Sequence, residues 1–112
     1  KHQLSNLTVL VDYNKLQSYG PTDVVQPLEP LADKWTSFGF DAIEVNGHDV
    51  AELRKILSSV PRNQSKPTAI ICHTTKGKGI SYAEGVAEWH HKSKLGPEEI
   101  GKLYTELEQV DA

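Results

Sequence analysis

Apolar residues along the chain fall into short continuous runs and into stripes at helical spacing. The continuous runs are LTVLV, AIEV and TAIIC, at residues 7–11, 42–45 and 68–72. Uninterrupted runs of this length, rich in β-branched residues, are typical of strands in a parallel sheet that is covered on both faces. We therefore expect three strands, and we expect the first and the third to be buried on both faces.

The apolar stripes predict three helices. The first lies in LADKWTSF and ends at Gly39. The second begins at Asp49, which can cap it, and stops before Pro61. The third has Pro97 in its first turn, followed by two glutamates beside the positive end of the helix dipole. The expected apolar positions are Leu31, Trp35 and Phe38; Val50, Leu53, Leu57 and Val60; and Ile100, Leu103, Leu107 and Val110.

The order strand, helix, strand, helix, strand, late helix indicates an α/β fold, with a mostly parallel sheet and flanking helices. Ligands in such sheets bind outside the carboxyl ends of the strands. Three segments follow strands at that edge, namely residues 12–17, 46–49 and 73–79. Functional residues are expected there.

Composition narrows the function classes. The chain has 112 residues, a formal net charge of −3 and no long run of basic residues, so it is at most one domain and does not resemble a nucleic-acid-binding protein. No apolar run is long enough to predict a membrane span. The single cysteine, Cys72, lies in an apolar run, which favours a buried structural role and a reducing, cytoplasmic compartment. The chain contains no methionine and opens on Lys1, which is typical of a fragment or a processed product.

The segment VDYNKLQ ends the first strand with Asp12 and Asn14. Both residue types favour turns, because their side chains bond to nearby backbone. Asn14 could instead offer its amide oxygen to a hard cation. Local chemistry leaves both interpretations open.

Two further segments carry candidate chemistry. HTTKGKG, at residues 73–79, could bind an anion through exposed amides beside Lys76 and Lys78, or it could be a solvated basic loop. In EWHHKSK, adjacent His90 and His91 have poor spacing for zinc. One of these histidines could move protons or donate to a phosphate, although an exposed histidine is more often without function.

These motifs occur together in a characteristic order: LTVLVDYNKLQ, PLADKWTSFGFDAIEVNGHD, KPTAIICHTTKGKGISYAE and WHHK. The combination resembles the diphosphate-binding domain of the transketolase family, and is most similar to enzymes divided into N-terminal and C-terminal subunits. The resemblance runs from about Leu7 through the last helix. It implies a thiamine-diphosphate-binding fold, of which residues 1–112 form a single partial domain, the C-terminal portion.

The resemblance also implies a set of site residues. Thiamine diphosphate would be held through Mg²⁺ or Ca²⁺, with the side-chain oxygen of Asn14 and the carbonyl of Leu16 as metal ligands. Lys76 and Gly77 would line the channel for cofactor and substrate. His90 would face the diphosphate and the reacting sugar, and would be the catalytic residue of this chain.

The sequence departs from the family pattern in three respects. His91 stands where the split-subunit pattern usually has glycine, and we expect its side chain to point away from the site and its replacement by glycine to be tolerated. The Gly-Asp-Gly that begins the family's metal signature does not occur in the 112 residues, and neither does the pyrimidine-binding domain. We therefore expect the chain alone to be inactive and to expose apolar surface.

The function that the resemblance implies is transfer of a two-carbon ketol unit between sugar phosphates. The chain would act within a homo- or hetero-oligomer in the cytoplasm, completed by a C-terminal subunit or an N-terminal segment. One alternative is a related synthase, such as 1-deoxyxylulose-5-phosphate synthase. Another is a non-catalytic half-domain that acts only by assembly with a partner chain.

Overall fold

The computed structural model of the chain describes residues 4–109, which fall into two units. The first unit contains residues 4–14 and 27–74, and the second contains residues 15–26 and 75–109. Val110, which the sequence pattern places on the last helix, lies outside the described residues. In chain order the elements are β1 (Thr8–Tyr13), β2 (Leu16–Gln17), β3 (Gly20–Pro21), α1 (Thr22–Val25), α2 (Leu31–Ser37), β4 (Asp41–Asn46), α3 (Val50–Leu57), β5 (Thr68–His73), a 3₁₀ turn (Ala87–His91) and α4 (Pro97–Gln109).

The first unit is built on a parallel sheet with strand order β1–β5–β4. Tyr13 and Asn46 both pair in register with His73, so the three strands end at the same edge. Residues 68–72 of the central strand are buried, as their continuous apolar run predicts. The predicted α/β class and parallel sheet are confirmed.

The prediction that the first strand is buried on both faces is wrong. Leu10 is 53% exposed and Leu7 is 41% exposed. The reason is topological, because among the described residues β1 pairs only with β5 and forms an edge of the sheet. The related expectation of exposed apolar surface is confirmed, since side chains on several elements are open to solvent, including Tyr19, Val24, Phe38, Val50, Tyr104 and Leu107.

The main core lies between the sheet and α3. Val45, Ile70 and Cys72 are buried there, and Leu53 and Ile56 of α3 pack against them. The predicted stripe is therefore displaced, because Val50 is 76% exposed and Leu57 is also exposed. The start of the helix is as expected, since Asp49 Oδ1 accepts a hydrogen bond from the backbone N–H of Glu52 at 2.8 Å.

Helix α2 ends where the sequence predicts. Gly39 takes a left-handed φ of 89°, which glycine adopts without steric cost, and its N–H donates to the carbonyl of Thr36. The ring of Trp35 packs edge-on against Phe40, with 4.8 Å between centroids. Phe38 is exposed instead of packed, because it is the C-cap residue and lies past the last helical turn.

The second unit contains a hairpin, a glycine-rich loop, the 3₁₀ turn and α4. Leu16 pairs with Pro21 and Gln17 with Gly20, so Ser18 and Tyr19 form a two-residue hairpin loop. The loop after β5 is joined to α4 because the N–H of Ser81 donates to Glu106 at 2.9 Å. No helix within residues 4–109 combines the length and the apolar character needed to cross a membrane.

Candidate functional site

Polar side chains gather at the carboxyl ends of the strands in the first unit. The Thr74 hydroxyl donates to Asp12 Oδ1 at 2.5 Å, and His73 Nε2 donates to Glu44 Oε1 at 2.8 Å. The ring of Tyr13 lies 5.7 Å from that of His73, centroid to centroid. Asn14, half-buried, follows directly after β1 at this edge.

Cys72 has a structural role within this cluster. Its side chain is buried in the core, and burial together with the nearby charge of Asp12 raises the pKa of the thiol. A raised pKa disfavours the reactive thiolate. The cysteine is therefore a small buried hydrophobe, as expected, and it is not a nucleophile.

The predicted metal-binding segment has an unusual backbone. Lys15, between Asn14 and Leu16, has a φ of 64°, in the left-handed region that non-glycine residues rarely adopt. Its carbonyl accepts a hydrogen bond from Thr22 N–H at 2.8 Å, which closes the hairpin that begins at Leu16. Such outliers persist where the surrounding structure imposes them, and they cluster at functional sites.

The two lysines of the glycine-rich loop differ in their surroundings. Lys78 Nζ lies 3.2 Å from the carboxylate of Glu84, which also accepts the N–H of Gly79 at 3.0 Å. Lys76 is half-buried, and no carboxylate within residues 4–109 pairs with its ammonium group. Of the two, Lys76 has the charge available for an anion.

Gly77 is required by the loop itself. Its φ of 72° is left-handed, and a β-carbon on it would lie 2.7 Å from the carbonyl oxygen of Ala83. Ala83 is buried. The glycine therefore permits a close approach of two backbone segments within the loop, and its neighbour Lys76 is held there by a hydrogen bond from Gly85 N–H to the Lys76 carbonyl.

His90 lies in the 3₁₀ turn with one ring nitrogen shielded from water. Nδ1 has no hydrogen-bond partner in the part of the chain that the structure describes. Removal from water lowers the pKa of His90, and the positive charge of Lys76 and the neighbouring His91 lower it further. A shielded polar atom without a partner is unfavourable, and a bound ligand could supply the missing hydrogen-bond partner.

Two residues of the hairpin, Gln17 and Ser18, were not predicted, and His91 was expected to point away from the site. Gln17 Nε2 is also shielded and lacks a partner among residues 4–109. Ser18 Oγ and His91 Nε2 share a hydrogen bond of 2.9 Å, so His91 does not simply point into solvent. The rings of His90 and His91 meet edge-on, with 4.5 Å between centroids. The only sequence signal for Gln17 and Ser18 is that they follow a predicted ligand.

These groups fit a diphosphate better than a protein-only metal centre. A diphosphate offers negatively charged oxygen acceptors. The second unit presents the ammonium of Lys76, the amide of Gln17 and, in the tautomer protonated at Nδ1, the ring of His90 as donors. Leu16 and Gly77 lie in the same unit, and Asn14 belongs to the first. Within residues 4–109 no three or more His, Cys, Asp or Glu side chains are grouped so that they could hold a metal ion.

Comparison with known proteins shows the family to which the chain belongs. The family model described as "Transketolase, thiamine diphosphate binding domain" matches residues 1–109. The chain belongs to this family. The thiamine-diphosphate-binding fold that the motifs imply is therefore confirmed, together with the α/β class.

Relatives of this thiamine-diphosphate-binding domain include subunits of divided transketolases. An apulose-4-phosphate transketolase subunit of Phocaeicola vulgatus is 44% identical over 91 residues, which cover 81% of this chain and 32% of that protein. The 6-deoxy-6-sulfo-D-fructose transketolase subunit SqwG of Clostridium sp. is 39% identical over 110 residues, covering 98% of this chain and 40% of the SqwG polypeptide.

Solved transketolase structures share the fold of the domain. The crystal structure from Campylobacter jejuni superposes with a TM-score of 0.82 at 30% identity, over 96% of this chain and 16% of that one. The transketolase from Leishmania mexicana gives a TM-score of 0.81 at 30% identity, with the same coverage. The chain thus spans less than half the length of each of these four relatives.

Proposed function

We propose that this domain is part of a thiamine-diphosphate-dependent transketolase that transfers a two-carbon ketol unit between sugar phosphates. The observation that carries the proposal is the shielded Nδ1 of His90, which lacks a partner within residues 4–109, in a unit that also holds the half-buried ammonium of Lys76. The relatives are transketolases or their subunits, which favours this function over a 1-deoxyxylulose-5-phosphate synthase or a non-catalytic half-domain.

The proposed metal ligands are the side-chain oxygen of Asn14 and the carbonyl oxygen of Leu16, and the ion would be Mg²⁺ or Ca²⁺. Oxygen donors suit a hard divalent cation that also binds phosphate oxygens. The left-handed backbone at Lys15 supports the proposal, because a simple strand exit does not require it. Two ligands do not complete the shell of such an ion, so further oxygens must come from the diphosphate, from water or from another segment.

The remaining residues would bind the diphosphate and the substrate. The ammonium of Lys76 would offset negative charge, and Gly77 would keep the loop closed around the backbone of Ala83. His90 would donate from Nδ1 to an oxygen of the diphosphate or of the reacting sugar, and Gln17 would donate from its amide. When bound, the cofactor supplies the carbanion chemistry, while these protein groups supply orientation and charge.

The assembly is also part of the proposal. Residues 1–112 would be the C-terminal portion of a diphosphate-binding domain, and a C-terminal subunit or an N-terminal segment would supply the rest of the site. The names of the subunit relatives support a partner polypeptide in a homo- or hetero-oligomer. A buried single thiol supports a reducing, cytoplasmic location.

The test compares His90→Ala with the parent protein in the assembly reconstituted from this protein and its partner polypeptide. We expect the variant to lose at least about tenfold in ketol transfer, in line with the usual contribution of one hydrogen bond to a charged group. Calorimetric titration with thiamine diphosphate and Mg²⁺ reports cofactor affinity independently of the transfer rate. Unchanged transfer rate and unchanged cofactor affinity would contradict the proposal.

A further inference from the structure

The 3₁₀ turn is anchored on both sides of His90. On the N-terminal side, the ring of Trp89 packs on Tyr82 at 5.6 Å between centroids, and the ammonium of Lys92 lies 4.3 Å from the centre of the Trp89 ring. Lys92 is in turn ion-paired with Glu99 in the first turn of α4. The backbone that carries His90 is thereby fixed against α4.

The second anchor is the hydrogen bond between Ser18 Oγ and His91 Nε2. Ser18 follows directly after β2, the strand formed by Leu16 and Gln17. The bond therefore joins the hairpin that carries one proposed metal ligand to the turn that carries His90. Both segments belong to the second unit, although they are distant in sequence.

The ring of His91 also limits the ring of His90. The two imidazoles meet at an interplanar angle of 83°, with 4.5 Å between centroids. Since Ser18 fixes the position of His91, the edge of that ring restricts the rotation of the neighbouring side chain. A glycine at residue 91 would remove both the hydrogen bond and this restriction.

We propose that Ser18 and His91 act together as positioning residues, holding His90 so that its Nδ1 faces the ligand. The proposal rests on the proposed function of His90, and it revises the expectation that His91 points away and that glycine would be tolerated there. His91 itself is not required to touch substrate or cofactor. Its side chain acts through the ring of His90.

The experiment uses the reconstituted assembly with four variants. Ser18→Ala and His91→Phe remove the hydrogen bond, and His91→Phe keeps a ring beside His90. His91→Gln keeps a side chain that can still bond to Ser18, and the double variant Ser18→Ala/His91→Phe tests coupling. Lys102→Ala is the control, because Lys102 forms an exposed ion pair with Glu98 on α4, and such pairs contribute little.

We expect Ser18→Ala and His91→Phe each to lower kcat about fivefold, the size set by one neutral hydrogen bond, with little change in the KM of the sugar. The double variant should be no worse than either single variant, because both remove the same interaction. His91→Gln should restore part of the loss. The variants should rank in the same order by their loss of thiamine diphosphate affinity in the presence of Mg²⁺ and by the shift of the His90 imidazole resonances. Lys102→Ala should change neither quantity.

Two outcomes separate the two proposals. If His90→Ala abolishes transfer but the losses from Ser18→Ala and His91→Phe are absent or simply additive, the positioning role is wrong and the proposed function stands. If His90→Ala itself retains full transfer and cofactor affinity, the proposed function fails, and the positioning role fails with it. The melting temperature of the cofactor-free protein gives a further check. If it falls across the variants in the same order as kcat, the Ser18–His91 bond is purely structural and the positioning role is wrong.

Discussion

Gly47 packs so closely against Thr74 that a β-carbon on the glycine would lie 2.5 Å from the threonine Cγ2. The same β-carbon would lie 3.0 Å from Cβ of Cys72 and 3.2 Å from the carbonyl oxygen of His73. That carbonyl accepts the N–H of Gly47 at 2.8 Å, so β4 and β5 stay bonded past their last register pair. The carboxyl edge of the sheet depends on this close approach.

Gly47→Ala should therefore destabilise the protein. Thr74 cannot move freely, because its hydroxyl is bonded to Asp12, and we expect a loss of about 1–3 kcal/mol in the free energy of unfolding. Gly101→Ala is the control, since its β-carbon meets nothing within 4 Å and it lies inside α4. That change should stabilise by about 0.5–1 kcal/mol. Urea denaturation measures both, and equal effects would contradict the close packing at Gly47.

Gly77→Ala and Gly85→Ala separate conformational strain from steric overlap. Both glycines have a left-handed φ, of 72° and 69°, but only Gly77 faces the backbone of Ala83. We expect about 1–2 kcal/mol of destabilisation from the conformation alone at Gly85, and a further loss of about 1–3 kcal/mol at Gly77. Thermal unfolding compares the two variants. A similar melting temperature for both would mean that the loop does not need the close approach at Gly77.

The titration of His90 should respond to Lys76 more than to Lys78. Lys76 lowers the pKa of His90, after desolvation, whereas Lys78 is paired with Glu84. Lys76→Gln should therefore raise the pKa of His90, and Lys78→Gln should change it less. Imidazole chemical shifts followed against pH measure both changes, and the reverse order would contradict the assigned surroundings.

The same shift gives a direction for stability against pH. The unfolded chain takes up a proton at His90 near its ordinary pKa of about 6.5, before the folded chain does. As pH falls from that value through the lower folded-state pKa, the free energy of unfolding should decrease, and His90→Gln should remove that part of the decrease. Denaturation between about pH 7.5 and about pH 5, a range that contains the ordinary value, tests the sign. A parent protein and a variant with identical pH dependence would contradict it.

Asn14→Ala should weaken cofactor binding more than it weakens folding. In the reconstituted assembly it removes one proposed metal ligand, while its half-buried position at a strand end leaves no large core cavity. Asn63→Ala is a matched control, because Asn63 Oδ1 serves only a local turn, accepting from Ser65 N–H at 2.8 Å. Calorimetric titration with Mg²⁺ and thiamine diphosphate, beside the cofactor-free melting temperature, distinguishes the roles. An equal loss of melting temperature with no loss of affinity would make Asn14 a turn residue.

The open edge of the sheet predicts self-association of the 112-residue polypeptide. β1 exposes Leu10 along an edge strand, and large exposed apolar patches are uncommon in monomers. Sedimentation at micromolar concentration should show species larger than a monomer, and Leu10→Lys should reduce them. A compact monomer that binds no hydrophobic dye would contradict this prediction.

The sequence patterns predicted the structural features that depend on residues close to one another in the sequence. The buried run of β5, the cap at Asp49 and the left-handed Gly39 follow from chemistry within a few positions, and all three are confirmed. The burial of β1 depends on its place in the sheet, and the exposure of Val50 depends on how α3 lies against that sheet. Local periodicity contains neither piece of information.

The same limit applies to the candidate site. Lys76 and His90 were predicted from the family resemblance, but the difference between Lys76 and Lys78 arises from the pairing of Lys78 with Glu84. The Ser18–His91 bond joins residues 73 positions apart, and neither residue carries a local signal for the other. Only the folded chain brings the two side chains together.

The division of the second unit into residues 15–26 and 75–109 has a consequence for the order of folding. While residues 27–74 are unfolded, bringing these two segments together carries the entropy cost of closing a long loop. Pairing of β1 with β5 closes that loop first, because it places Thr74 N–H 3.3 Å from the carbonyl of Tyr13. The hairpin and the 3₁₀ turn should then join last and open first, so their amide hydrogens should exchange with solvent ahead of those in the sheet. A ligand that binds only the closed form would slow exchange in these segments before anywhere else in the protein.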